Sequence, residues 1–168
     1  VREAGPPVPR LVGAGAMAAA IDPAAPRIWW PESGDALRAD VVEAGHLEVL
    51  VLASPFCRYS IAAAEDIAAD PTLALLRSGE RTVWLVQPTG LDEVASVREW
   101  NRSHPQMPMA LISDARVLPG VSRVETPTFV ILREGTVLER VQGWPLETGN
   151  APALRAALAR AASGDDGI

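Results

Sequence analysis

The run Leu47–Ala53 is apolar at every position but Glu48, and this narrows the fold more than any other feature of the chain. A strand that is apolar on both faces must be covered on both, so it belongs in the middle of a sheet. Directly after it come Ser54-Pro55-Phe56-Cys57-Arg58-Tyr59-Ser60 and a helix-like stretch from Arg58 to about Ala69. The chain's single cysteine therefore stands at a strand-to-helix junction. There it meets backbone N–H groups and the positive end of a helix dipole, both of which favour thiolate.

The remaining pattern extends this unit. Asp70-Pro71 ends the helix, a second short helix runs to about Arg77, and Gly79 closes it. Thr82–Gln87 is rich in β-branched and aromatic residues and predicts a strand. Val94, Val97 and Trp100 share one side of a helix from about Asp92 to Arg102, and Met109–Ile112 predicts a further strand. The order β-α-β-α-β favours a parallel or mixed sheet. Phe129–Arg133 and Thr136–Val141 predict a hairpin around Glu134-Gly135, and Asn150 caps a last helix reaching about Ala162. Upstream, Arg27–Pro31 predicts an edge strand carrying Trp29 and Trp30. Ser33 or Asp35 is expected to cap a helix with Leu37, Val41 and Val42 on one side and Gly45 as its stop.

The 168 residues suit one α/β domain, residues 31–163, behind an Ala/Gly/Pro-rich arm at 1–30 and ahead of a fraying end at 164–168. A formal charge of −6 argues against a nucleic-acid partner, because phosphate neutralisation needs clustered positive charge and the sequence shows none. All 15 basic residues are arginines, which reads as a coding bias rather than a function. No run approaches the roughly 18 apolar residues of a membrane span. Leu11–Ala20, behind Arg10, has the look of a shortened secretion signal or membrane tether, although a flexible arm is the plainer reading. Gly13–Ala18 fits G-x-G-x-x-A, but it follows a proline-rich segment instead of a strand and is set aside. His46 and His104 lack metal-ligand spacing, and no metal or cofactor is expected.

Cys57 after a strand, together with the downstream Glu125-Thr126-Pro127-Thr128 and the hairpin behind it, resembles the thioredoxin-like superfamily. The resemblance covers roughly residues 35–162 and is nearest to the TlpA-like and Dsb-like thiol–disulfide proteins. It implies a three-layer fold, a mixed central sheet flanked by helices, with an inserted helix and strand between Cys57 and Pro127. In those families a strand leads into C-x-x-C at a helix N-terminus, and a cis-proline from another loop lies against the first cysteine. Cys57 then matches the attacking cysteine, Pro127 the cis-proline, and Gly143 the glycine after the last strand. The stretch Ala110–Arg133 resembles the TlpA-like lead into that proline. A cis bond there would turn the Thr126 backbone towards a docking peptide, which pairs like an added strand.

This chain departs from the family at two points. Ser60 stands where the second cysteine belongs, giving C-x-x-S, and Val51, six residues before Cys57, stands where many thioredoxins keep a buried acid. Glu48 substitutes for that acid only if it turns inward. A dithiol enzyme attacks a disulfide with its first thiolate and frees itself by attack from its second cysteine. Ser60 cannot make that second attack, yet its hydroxyl can donate to the Cys57 thiolate. The expected product is a mixed disulfide held until an external thiol arrives. Two origins fit: a natural monothiol protein, or a Cys-to-Ser trap whose parent reads Cys-Arg-Tyr-Cys.

The expected site therefore has Cys57 and Ser60 as catalytic residues and Phe56, Arg58, Tyr59, Thr126 and Pro127 as the surface that meets a protein thiol or disulfide partner. Phe56 serves as rim or core, and Arg58 as an anion guide or a solvated helix-start cation. The tryptophans Trp84, Trp100 and Trp144 read as packing. An extracytoplasmic setting, periplasmic or cell-envelope, follows from the resemblance, with a cytoplasmic one left open. The alternative function is a redox-inactive binding or assembly module on the same fold. A glutathione-linked monothiol enzyme ranks third, because no glutathione pocket is readable.

Overall fold

The computed structural model describes residues 10–12, 25–90 and 92–163. Most of the expected arm, the tether-like Leu11–Ala20 apart from its first two residues, the Gly13–Ala18 motif and the tail at 164–168 lie outside the described residues. Strands β1 (Arg10–Val12), β2 (Arg27–Pro31), β3 (Ala36–Val41), β4 (Val49–Leu52), β5 (Thr82–Val86), β6 (Met109–Ile112), β7 (Thr128–Arg133) and β8 (Thr136–Gln142) form one sheet, in the order β1-β3-β2-β6-β5-β4-β7-β8. Helices α1 (Arg58–Ala69), α2 (Asp92–Ser103) and α3 (Ala151–Ser163) join them, with short 3-10 turns at Ala44–His46, Pro71–Leu76 and Ala115–Val117. β4 and β6 flank β5 in parallel, and β7 runs antiparallel to β4.

Alternation along the strands divides the core. Val49 and Val51 of β4, Trp84 and Val86 of β5, and Phe129 and Ile131 of β7 face Ala63, Ala64 and Ile67 of α1, Val97 and Trp100 of α2, and Leu154 and Ala157 of α3. Leu50, Leu52, Leu85, Val130 and Leu132 point the other way and meet Leu47, Leu118 and Val121. All four residues of β4 are buried, as a doubly covered central strand requires. The helix and strand expected between Cys57 and Pro127 are α2 and β6. Among the described residues no helix is long and apolar enough to cross a membrane.

Two expectations fail in the segment before β4. The helix drawn from Ser33 or Asp35 to Gly45 is instead β3, a turn and a 3-10 stub. Leu37 and Val41 suit a helix at i,i+4, but Leu37, Ala39 and Val41 also alternate with Arg38 and Asp40. The second period wins because β2 lies alongside: Trp30 pairs with Arg38 across the ladder and donates its indole N–H to Asp40 at 3.3 Å. Gly34 makes the turn at φ +66°, where a side chain is strained. β2 is also not an edge strand, since β3 and β6 flank it. The domain boundary expected at residue 30 thus falls inside a sheet strand that begins at Arg27.

Candidate functional site

The site is assembled where β4 and β7 end side by side. Their antiparallel register pairs Leu52 with Thr128, so the bend before β7 lies beside the loop after β4. That loop is tied tightly: the Ser54 hydroxyl accepts from the Phe56 amide at 3.2 Å, and the Cys57 amide donates to the Ser54 carbonyl at 3.1 Å. Cys57 is the N-cap of α1, with extended backbone, and its carbonyl accepts from the Ile61 amide at 3.0 Å. The sulfur is partly exposed and makes no side-chain cap bond. It lies at the positive end of a twelve-residue helix.

Across from it, the Thr126–Pro127 peptide bond is cis, Thr126 is half-buried and Pro127 is buried. The Cys57 thiol donates to the Thr126 carbonyl at 3.3 Å, a contact between residues 69 positions apart. The bend has its own ties. The Thr128 hydroxyl donates to the Glu125 carbonyl at 2.7 Å, Gly143 N–H donates to the Pro127 carbonyl at 2.8 Å, and the Gln142 amide donates to the Glu125 carboxylate.

Partial burial pushes the Cys57 thiol up, but hydrogen bonds from the Thr126 side chain, the Ser60 amide and hydroxyl, and the Tyr59 amide outweigh it. The thiol titrates below its ordinary value. The Thr126 carbonyl favours the protonated form, so ionisation exchanges that one acceptor for several donors. Ser60 is fully buried, and its Oγ accepts from the Ser54 amide at 3.2 Å. Its hydroxyl hydrogen therefore remains for the sulfur.

The sequence leaves alternatives open at two residues around the sulfur. Phe56 is 63% exposed and so belongs to the rim, not the core. Arg58 is exposed at the start of α1, with its guanidinium 4.8 Å from the Tyr59 ring centroid and donating to the Tyr59 hydroxyl at 2.7 Å. Phe56, Arg58 and Tyr59, the sequence neighbours of Cys57, are thus all exposed.

Glu48 does not replace the family acid. It pairs with Arg81 at the far end of the strand, while Val51 is buried beneath α1. Among the described residues no carboxylate is buried beneath the helix. Trp84, Trp100 and Trp144 are packed in the core, and each indole N–H is bonded: to the Leu76 carbonyl, the Met107 carbonyl and the Asp66 carboxylate. His46 pairs with Glu43 at 2.7 Å and His104 stacks on Trp100 at 3.9 Å. Among the described residues no group of three acidic, histidine or cysteine side chains could hold a metal ion.

No family model matches the sequence, and no curated protein matches it. Solved structures do match the fold. A Neisseria meningitidis protein assigned to the thioredoxins superposes with a TM-score of 0.53 at 17% identity, covering 86% of this chain and 93% of its own. The chain has the thioredoxin-like fold. StoA from Bacillus subtilis shares it, with a TM-score of 0.52 at 15% identity over 81% of this chain and 99% of that one. Within the thioredoxin-like fold, Cys57 and the Thr126–Pro127 bend come together from distant parts of the sequence. Asp66, whose carboxylate takes the Trp144 indole, was missed by sequence reasoning. No local signal links residues 78 positions apart.

Proposed function

We propose that this chain is a thiol–disulfide exchange protein that attacks substrate disulfides through Cys57 and holds the product as a mixed disulfide. One observation carries the reading: the sulfur caps a helix with the Thr126 carbonyl at 3.3 Å and with hydrogen bonds that lower its pKa. Thiolate is the attacking species in exchange, so this environment raises the reactive fraction near neutral pH.

The steps balance without an added oxidant. The Cys57 thiolate attacks one sulfur of a substrate disulfide, the S–S bond breaks, and the departing thiolate takes a proton from water. A mixed disulfide now joins Cys57 to the substrate. Ser60 supplies no second sulfur, so an external thiol, losing its proton to water, must attack the substrate sulfur; the Cys57–substrate bond breaks, the substrate is left disulfide-bonded to that thiol, and Cys57 returns as thiolate. Thr126 and Pro127 form the wall along which an extended partner segment lies, and Phe56, Tyr59 and Arg58 form the opposite rim. An extracytoplasmic setting, where disulfides persist, suits this exchange.

The test restores the second sulfur. Ser60→Cys and the unaltered chain are compared in insulin-reduction and scrambled-substrate assays, with alkylation of Cys57 followed across pH. Turnover gained by Ser60→Cys, with ready alkylation of the unaltered chain near neutral pH, is the expected result. Slow alkylation and no gain in turnover would overturn the reading in favour of a redox-inactive binding module.

A further inference from the structure

The sulfur-to-bend contact is one side of a closed ring of ties. From Cys57 the chain runs along α1 to Asp66, whose carboxylate accepts from the Trp144 indole at 2.8 Å. Trp144 follows Gly143, whose N–H donates to the Pro127 carbonyl at 2.8 Å. The Trp144 ring also packs at 5.9 Å against Phe129, two residues beyond Pro127. From Pro127 the ring closes through the Thr126 carbonyl to the sulfur at 3.3 Å.

We propose that the Asp66–Trp144 hydrogen bond is a positioning tie that holds the Thr126–Pro127 bend against the Cys57 sulfur. The inference rests on Cys57 being the nucleophile, and assigns to Asp66 a part in setting its surroundings. Asp66 is itself exposed, on a helix face where a carboxylate needs no partner. Trp144, by contrast, is 2% exposed, so its N–H has a strong need for one. The backbone around the pair is shaped to admit it. Gly149 sits at φ +62°, and a Cβ there would lie 3.3 Å from both the Asp66 Oδ2 and the Trp144 Nε1 atoms. The Asn150 amide donates to the Gly143 carbonyl at 3.1 Å and steadies the same turn.

Position and charge make opposite predictions for Asp66→Ala. Removing a negative charge anywhere near the sulfur favours thiolate and lowers the thiol pKa. Releasing the bend withdraws the Thr126 hydroxyl and raises it. Asp66→Asn removes the charge as well but keeps a carbonyl acceptor for the indole.

The experiment measures two quantities in the unaltered chain, Asp66→Ala, Asp66→Asn and Gly149→Ala. The first is hydrogen exchange of the Gly143 amide, and the second is the pH profile of Cys57 alkylation. Expected for Asp66→Ala and Gly149→Ala is Gly143 exchange faster by about fivefold or more, with an alkylation profile moved to higher pH. Asp66→Asn should match the unaltered chain in Gly143 exchange, with an alkylation profile that does not move to higher pH. An unchanged Gly143 amide, or a profile that moves to lower pH in both Asp66 variants, overturns the tie. If the unaltered chain itself alkylates like an ordinary thiol, the proposed function falls, and the Gly143 amide still judges the tie by itself.

Discussion

Ser60→Ala removes a single oxygen, and the structure separates its effect on stability from its effect on reactivity. That oxygen accepts from the Ser54 amide at 3.2 Å, a bond worth about 1 kcal/mol net, at the lower end here because Ser54 is only partly buried. Alanine returns roughly 0.4 kcal/mol through helix propensity at a position inside the first turn of α1. The net loss of about half a kcal/mol corresponds to a melting temperature lower by only roughly 1–2 °C in a chain of this size. Reactivity should change more visibly, because the Ser60 hydroxyl is one of the donors that lower the Cys57 pKa. With Cys57 depressed in the folded state, ionisation contributes stability that is fully present above the unfolded thiol value of 9.0 and is lost as pH falls through the folded value. The unaltered chain, measured against Cys57→Ala, should therefore gain stability as pH rises through that interval, and Ser60→Ala should flatten the gain. Alkylation by iodoacetamide supplies the direct assay. Near neutral pH Ser60→Ala should react more slowly, and well above the ordinary thiol pKa, where both thiols are ionised, it should draw level or slightly ahead, since a less acidic thiol yields a slightly stronger nucleophile. Superimposable pH profiles would refute the reasoning and leave thiol acidity to Thr126 and the backbone amides alone.

Other perturbations probe the rim and the frame. Phe56→Ser should weaken capture of a protein disulfide several-fold while leaving the rate with a small alkylating agent unchanged, since Phe56 is exposed and supports nothing in the core. Gly120→Ala should destabilise the fold by about 2 kcal/mol or more in chemical denaturation, because Gly120 has φ +73° and a Cβ there would lie 3.0 Å from Val130 Cγ1. Phe129→Ala should cost about 3–5 kcal/mol by the same measurement, as Phe129 is fully buried between Trp84 and Trp144. Val51→Asp places a carboxyl in the core beneath α1; it should lower the melting temperature most steeply at alkaline pH, where that carboxyl is charged.

The parts of this fold that could be read in advance are those with strong local periodicity. Leu47–Ala53 is apolar on both faces, and Arg58–Ala69 begins at a junction and ends at Asp70-Pro71, so β4, Cys57 and α1 needed nothing distant to be placed. β3 could not be read in the same way. Leu37 and Val41 satisfy both a helical and an alternating pattern, and the decision lies with β2, whose Trp29 and Trp30 become informative only once they are alongside. Glu48 likewise has two outlets, inward or towards Arg81, and the parity of β4 sends it away from the face where Val51 lies. The tie between Asp66 and Trp144 has no sequence signature at all. Each residue alone reads as an exposed helix acid and a packing aromatic, and only the approach of the turn after β8 to the C-terminal part of α1 gives the pair its meaning.

The chemistry of position 60 follows from what an oxygen does there that a sulfur does not. A buried hydroxyl accepts one hydrogen bond well and still offers its own hydrogen, which is how Ser60 serves the Ser54 amide and the Cys57 sulfur together. A thiol at the same position is a weak donor and a weak acceptor, so Ser60→Cys trades support of the first thiolate for the ability to resolve a mixed disulfide. If Cys57 is the nucleophile proposed above, the C-x-x-S arrangement favours a sulfur that forms its bond readily and releases it only when another thiol arrives. Under the proposed function, the lifetime of a captured partner, more than turnover, is therefore the quantity to measure.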